Sequence, residues 1–259
     1  IIVGENDYID DDKIDLTAMQ ENLSSYKGKT STSSPSPHEW ENAFGDADVV
    51  FCITITSSLS GTYNSAIIAK DIYEHNHTGR KVYVLDSLST GPEIALFIEK
   101  IAELIKAGFA PDDIYKTLLE YKDKTHLYFS LASLNNFAKN GRISPVIAAG
   151  IGLLGVRVVG KASDEGTLLP LDKCRGEKRA LKKLIDHLKE CGYTDGKIII
   201  AHNNNEAGAL ELKKLIENTF GIFNGTIQKT RALCSYYAEP GSLLIGFEAS
   251  LCNHKPYKD

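Results

Sequence analysis

The feature that most constrains this chain is a repeated alternation of two periods. Apolar runs of five to eight residues give way to segments whose apolar positions recur at helical spacing: "DVVFCITI" (48–55) is followed by "SGTYNSAIIAKDIYEH" (60–75), and "KVYVLD" (81–86) by a helical stretch running from "DSLST" through Ile105. Strands this uniformly apolar have both faces covered, and helices of this length are what crossover connections supply. The pattern predicts an α/β chain with mainly parallel sheets. With 259 residues, 42% of them hydrophobic and 24% charged, there is enough chain for one large or two medium cores.

Local signals set the boundaries. Leu16, Met19, Leu23 and Tyr26 recur at helical spacing and stop at Gly28. Ser36, Pro37 and Glu39 spell a capping box with proline at the first helical position, and Pro111 with Asp112 and Asp113 opens a helix over 111–122. A second set follows: the strand "HLYFSL" (126–131), a short helix to Lys139, the turn "NGR", and an apolar helix around 143–153. Strands are then expected near 155–161 and 167–171, a helix over 177–191, the strand "KIIIAH" (197–202), a helix over 206–218, and closing strands near 226–233 and 242–248. The reading is of two α/β lobes, 1–125 and 126–259, meeting near residue 125, with a lobe free to draw chain from both halves.

Several function classes find no support. The net charge of -5 comes from interspersed acidic and basic residues, which gives no electrostatic reason for a nucleic-acid or anionic membrane partner. No uninterrupted apolar stretch approaches the roughly 18 residues of a spanning helix. Cys52, Cys174, Cys191, Cys234 and Cys252 are odd in number and form no C-x-x-C pair. They read as free thiols in a reducing, cytoplasmic setting. His75 and His77 lack a patterned carboxylate or thiol, so no metal is expected. "GVRVVGKA" (155–162) has Ala162 where a P-loop needs a hydroxyl, and its centre is apolar strand. The chain opens at "IIVGENDYIDDD" without Met, which suggests that residues precede it.

Three polar loops concentrate the remaining signal: "TSSPS" (32–36), "SSLSGT" (57–62) and "DSLST" (86–90). Each precedes a helix, and the last two follow strands, which gathers them at the carboxyl ends of strands where open α/β sheets bind ligands. Thr32, Ser33, Ser60, Thr62 and Ser87 would offer neutral hydroxyls beside helix N-terminal amides, with Gly61 allowing close approach, a combination suited to a small anion. The competing reading is that they are simple N-caps. No G-x-S-x-G elbow surrounds Ser60. Trp40, one turn before Phe44, reads as a core-facing pair. Arg142 in "NGRIS" reads as fixing a turn or ion pair, or as a lobe-interface residue; Arg175 as part of a solvated basic face or a docking patch; and His202 as structural hydrogen bonding rather than a ligand contact.

Taken in order, "TSTSSPSP", "SSLSGTYNSA", "DSLS", "NGRIS" and "EPGSLLIGFE" make the chain resemble the DegV family of fatty-acid-binding proteins, which includes the binding subunit of bacterial fatty acid kinase. Family members show T-S-x-P-S-P, S-x-L-S-G-T-Y-x-S-A, D-S and G-G-R-I at similar spacings; here Asn140 replaces the first Gly of the last. The resemblance spans nearly all of the chain. It implies two lobes enclosing one long-chain fatty acid, with the carboxylate at the hydroxyl loops and the tail in an apolar tunnel. Thr32 and Ser33 match the family's T-S, and Ser60, Gly61 and Thr62 its S-G-T, so the resemblance implies that these are the positions nearest the carboxylate. Tyr237 occupies the His position of the family's H-x-G-P-G, and Glu239 that of its first Gly. Ser87, Arg142 and His202 are further pocket or interface candidates. The family's opening strand with T-D-S is not present. The resemblance further implies a carrier without a catalytic group or cofactor, presenting its acid to a separate ATP-dependent kinase subunit. Two alternatives stand beside it: an acyl- or phosphoryl-transfer enzyme using Ser60 or Tyr237, and a regulatory homologue with an altered ligand.

Overall fold

The structure, a computed structural model, describes residues 1–144 and 155–249. Its first half holds two small sheets. Strands β1 (Ile2–Val3), β2 (Asn6–Asp7) and β3 (Thr30–Ser31) pair antiparallel in the order β2-β1-β3. β4 (Val49–Thr54) and β5 (Lys81–Asp86) pair in parallel, from Val49 opposite Lys81 to Thr54 opposite Asp86. Around them lie α1 (Leu16–Ser25), α2 (Pro37–Phe44), the crossover helix α3 (Thr62–Asn76), α4 (Pro92–Lys106) and α5 (Pro111–Lys122). The capping box of α2 forms as its sequence requires: Glu39 N donates to Ser36 Oγ at 3.3 Å and Ser36 N to Glu39 Oε2 at 2.7 Å. Trp40 and Phe44 pack with ring centroids 6.2 Å apart, and Phe44 is buried against Tyr73.

The second half builds a six-stranded sheet in the order β10-β9-β11-β6-β7-β8. Its strands are β6 (Thr125–Leu131), β7 (Val156–Ala162), β8 (Leu168–Arg175), β9 (Ile198–His202), β10 (Gly225–Lys229) and β11 (Leu243–Glu248). With them come α6 (Asn135–Lys139), α7 (Glu177–Glu190), α8 (Glu206–Phe220) and α9 (Ala232–Ala238). The α/β class and the two lobes hold, but the expectation of mainly parallel sheets does not. In this sheet β9 and β10 are parallel, while β11 runs antiparallel to both β6 and β9, and β6, β7 and β8 are successively antiparallel. The link from Ser163 to Thr167 shows why: five residues suffice for a hairpin and are far too few for a parallel crossover. "GVRVVGKA" forms β7, as its apolar centre demands.

Two further expectations need correction. The sequence pattern predicts a strand near 226–233, whereas β10 ends at Lys229 and α9 begins at Ala232. Its cap is remote: Asp10 accepts from Ala232 N at 3.2 Å and Leu233 N at 2.9 Å, so no local residue signals the helix. Of the cysteines, Cys52, Cys174 and Cys234 are free, but Cys191 is disulfide-bonded, against the reading of all five as thiols. The helix expected around 143–153 falls almost wholly outside the described residues. Among those residues, no helix is long and apolar enough to cross a membrane.

Strand alternation distributes the core. On β9, Ile198 and Ile200 face α7 and α8, while Ile199 faces Leu96 and Phe97 of α4. α4 is thus shared: the same cluster takes Leu85 from β5 and Ile199 from β9, with Phe51 and Ile53 of β4 packed on it. Leu96 and Phe97 are fully buried, each contributing about 1.5–3 kcal/mol. A third cluster ties the chain's two ends together, joining Ile1, Val3 and Met19 to Ala232 and Tyr236.

α4 comes close to β11 at a glycine. A Cβ on Gly246 of β11 would lie 2.5 Å from Glu93 N and from Pro92 C, both backbone atoms that cannot rotate away. Gly246→Ala is expected to destabilise the protein by about 1–3 kcal/mol, read as a lower urea midpoint with an unchanged m value. An unchanged midpoint would mean that α4 can back away from β11 at no cost.

Candidate functional site

Between the small parallel sheet and the six-stranded sheet lies a cavity of about 730 Å³, within the range of about 300–1,000 Å³ usual for small-molecule sites. Its apolar wall follows from the pleat of β6. Leu127, Phe129 and Leu131 face the cavity, together with Leu168, Leu244 and Ile53, while Tyr128 on the opposite face packs under α7. The polar part of the wall carries Thr32, Ser33, Ser60, Gly61, Thr62, Arg142 and Tyr237.

Backbone hydrogen bonds set the loops that present these groups. Asp86, at the end of β5, accepts at Oδ1 from Ser57 N and Leu88 N, each 3.1 Å away, and Thr56 N donates to Ser89 O at 2.9 Å. These bonds tie the two loops to each other. They are latched to the other sheet through the β7–β8 hairpin: Thr56 Oγ1 donates to Gly166 O at 2.8 Å, and Ser58 Oγ to Glu165 O. Gly166 has φ +77, and a Cβ there would lie 2.2 Å from Thr56 Oγ1.

The hydroxyls are arranged in pairs. Ser60 Oγ and Thr62 Oγ1 are 2.7 Å apart, and Thr32 Oγ1 and Tyr237 Oη 2.8 Å. One hydrogen lies between the members of each pair, which leaves one hydroxyl hydrogen per pair for a ligand. α3 starts at Gly61 without a side-chain cap, so its first-turn amides add partial positive charge beside Thr62. Burial pushes the Tyr237 phenol up, so at neutral pH it is a neutral donor. The Arg142 guanidinium supplies the cation. Its Nε donates to Leu59 O at 3.3 Å and its Nη1 to Asn140 O at 2.5 Å, and among the described residues no carboxylate lies within 4 Å of it.

Of the residues expected from sequence, Thr32, Ser33, Ser60, Gly61, Thr62, Arg142 and Tyr237 share this cavity. Ser87 and His202 are not on its wall. Ser87 Oγ accepts from Ser89 N at 3.1 Å and shapes its own loop. His202, at the end of β9, accepts at Nδ1 from Asn205 N at 3.3 Å, and burial holds its pKa below the usual value. Glu239 takes the family's glycine position at φ 58, yet its carboxylate is turned away, accepting from Ser133 Oγ at 2.8 Å and Asn136 N at 3.1 Å. The latch residues Thr56 and Gly166 were not singled out, because nothing local marks a hydrogen bond to a hairpin 110 positions away. Among the described residues, no histidine lines the cavity and no His/Cys/Asp/Glu group fits a metal ion.

A two-lobed α/β protein whose cavity joins an apolar sheet face to hydroxyls and a guanidinium is a distinct class. The DegV family model matches residues 1–250, and the chain belongs to the DegV family. A DegV domain-containing protein of Streptococcus pneumoniae is 40% identical over 248 residues, covering 96% of this chain and 88% of its own. Two solved structures superpose with a TM-score of 0.93 at 40% identity. One is a Eubacterium eligens DegV family protein loaded with heptadecanoic acid, covering 96% of this chain and 90% of that one. The other is the Streptococcus pneumoniae Fatty Acid Kinase B3 protein loaded with linoleic acid, covering 95% and 88%.

The latch is testable. Gly166→Ala should lower stability by about 1–3 kcal/mol, and Thr56→Val by about 1 kcal/mol, in denaturant titrations. Wild-type stability in both would mean that the hairpin does not hold the loops.

Proposed function

We propose that this chain binds one long-chain fatty acid, with the carboxylate at Thr32, Ser33, Ser60, Gly61, Thr62 and Tyr237 and the acyl chain along the β6 face. The observation that carries this reading is a cavity that combines the apolar face of β6 with two hydroxyl pairs, the start of α3 and Arg142. The division of labour suits the ligand. About 15 buried methylenes at about 0.8 kcal/mol each supply of order 10 kcal/mol before ordering costs, so the headgroup groups need only replace lost hydration. Solved relatives loaded with heptadecanoic and linoleic acid support the same ligand class.

The residues around the headgroup favour a carrier over a catalyst. Ser60 is hydrogen-bonded to Thr62, and the carboxylates on the cavity wall are engaged elsewhere: Asp7 faces the Ile1 amine, Asp10 accepts from Ala232 N and Leu233 N, and Glu39 accepts from Ser36 N. On this reading the chain acts in the cytoplasm, uses no cofactor, and hands its ligand to a separate ATP-dependent kinase subunit. Two lobes, 1–125 and 126–259, supply the loops and the tunnel floor respectively, with α9 crossing back to the first.

Native mass spectrometry of the purified protein, followed by identification of what denaturation releases, tests this directly. One fatty acid per chain is expected; a chain that stays empty with added oleate and palmitate would overturn the proposal. Trp40, the sole tryptophan, lies on the cavity wall, so its emission reports occupancy. In oleate titrations followed this way, Arg142→Ala should weaken binding roughly 10- to 100-fold and Tyr237→Phe roughly 3- to 10-fold. Wild-type affinity in both would remove the carboxylate from this end of the cavity.

A further inference from the structure

Behind the ligand loops lies a carboxyl group that headgroup binding does not use. Glu93, in the first turn of α4, is 4% exposed. Its Oε1 accepts from Thr125 Oγ1 at 2.8 Å and its Oε2 from Ser89 Oγ. Thr125 and Ser89 are themselves buried, so neither bond is exchanged for water. Thr125 begins β6, whose apolar residues line the cavity, and Ser89 is on the cavity wall. Ser89 O in turn accepts from Thr56 N, and Thr56 reaches the hairpin through Gly166 O. The carboxyl group therefore joins the ligand loops to the sheet beneath them.

Few charges face it. From α5 comes Lys122, whose Nζ donates to Asp86 O at 3.1 Å. From β5 comes Asp86, whose Oδ1 is taken by Ser57 N and Leu88 N. β6 offers the neutral Thr125, β9 packs Ile199 against α4, and β11 presents Gly246. The carboxylate of β11, Glu248, is held by Tyr121 Oη at 2.6 Å and Lys197 N at 2.9 Å. In so dry a setting burial raises the Glu93 pKa to about 7, with Ser89, Thr125 and Lys122 opposing the shift.

We propose that Glu93 is a positioning residue of the ligand site: the proton on its carboxyl group decides whether the Ser89 hydroxyl is engaged by Glu93 or turned into the cavity, and the grip on an anionic ligand is stronger with that proton on. Ionised Glu93 is acceptor-only, so it fixes the Ser89 hydrogen on itself and adds a buried negative charge behind the loops. Protonated Glu93 donates to Ser89 Oγ instead, which frees the Ser89 hydrogen for the ligand and removes the charge. Both changes favour an anion. By reciprocity, binding an anion raises the proton affinity of Glu93.

The inference rests on reading the cavity as a fatty-acid site, and its test separates the two. Glu93→Gln is the variant, because the amide donates to Ser89 and accepts from Thr125 as the protonated acid does. Since the folded protein holds this proton more tightly than the unfolded chain, the Glu93 contribution to stability is present below pH 4.5 and lost as pH rises through about 7. The variant should therefore be at least as stable as wild type at pH 8. Amide shifts of Thr56 and Ser89 in the ligand-free protein should titrate near neutrality in wild type and not in Glu93→Gln. Oleate affinity, measured from pH 5.5 to 8.5 in both proteins, should fall roughly 3- to 10-fold more in wild type; titration of oleate itself is common to the two and cancels in the ratio. A constant affinity ratio, or amide shifts that titrate identically in both, overturns the role of Glu93. Failure of both proteins to bind oleate at any pH overturns the fatty-acid reading instead, and the amide shifts then decide whether Glu93 positions the loops.

Discussion

Everything in this molecule depends on how α4 is wedged between two sheets. Leu96 and Phe97 are buried against strands from both halves, and the first turn touches the backbone of β11 where Gly246 has no side chain. A helix so held fixes the spacing between the small parallel sheet and the six-stranded sheet. That spacing is the cavity. The hydroxyl loops on one side and the apolar face of β6 on the other are then set by strand geometry rather than by direct contact with each other, apart from the hairpin latch.

The electrostatic design follows from that geometry. A headgroup site formed where loops from several strands converge inherits backbone amides and hydroxyls cheaply, since these belong to helix starts and turns in any case. One guanidinium, Arg142, is added from beyond α6 and is bonded to two carbonyl oxygens rather than to a carboxylate. Such a cation keeps much of its charge available. Glu239 shows the converse: an anion introduced close to the same region is tied to Ser133 and Asn136 and kept off the wall.

Sequence reasoning was strongest where a signal is local. Ser36 and Glu39 define the start of α2, and the run 48–55 with the helix after it defines a parallel pair, because caps and apolar periods are written within a few residues. It also brought Thr32, Ser60, Thr62 and Tyr237 to one place through ordered motifs. It failed where the deciding partner is far along the chain. α9 was missed because Asp10 caps it from the other end, and the sheet was expected to be parallel because apolar strands look alike whether they return by a helix or by a hairpin. Ser87 and Ser89 have the same residue type two positions apart, and nothing in their spacing tells which one the loop turns toward the cavity. Glu93 reads in sequence as an ordinary acidic residue in a first helical turn; its burial is visible only in three dimensions.

The clasp between the chain's two ends has a consequence for biosynthesis. Tyr237, on the cavity wall, rides on a helix whose first amides are held by Asp10 and whose Tyr236 bonds Thr30 at 2.6 Å. These contacts span 206 and 223 positions, the kind that closes late because so much intervening chain must first be ordered. During synthesis the loops of β4 and β5 emerge long before α9 does. The chamber therefore stays open on one side until α9 has been made, and a ligand is enclosed only after that helix docks.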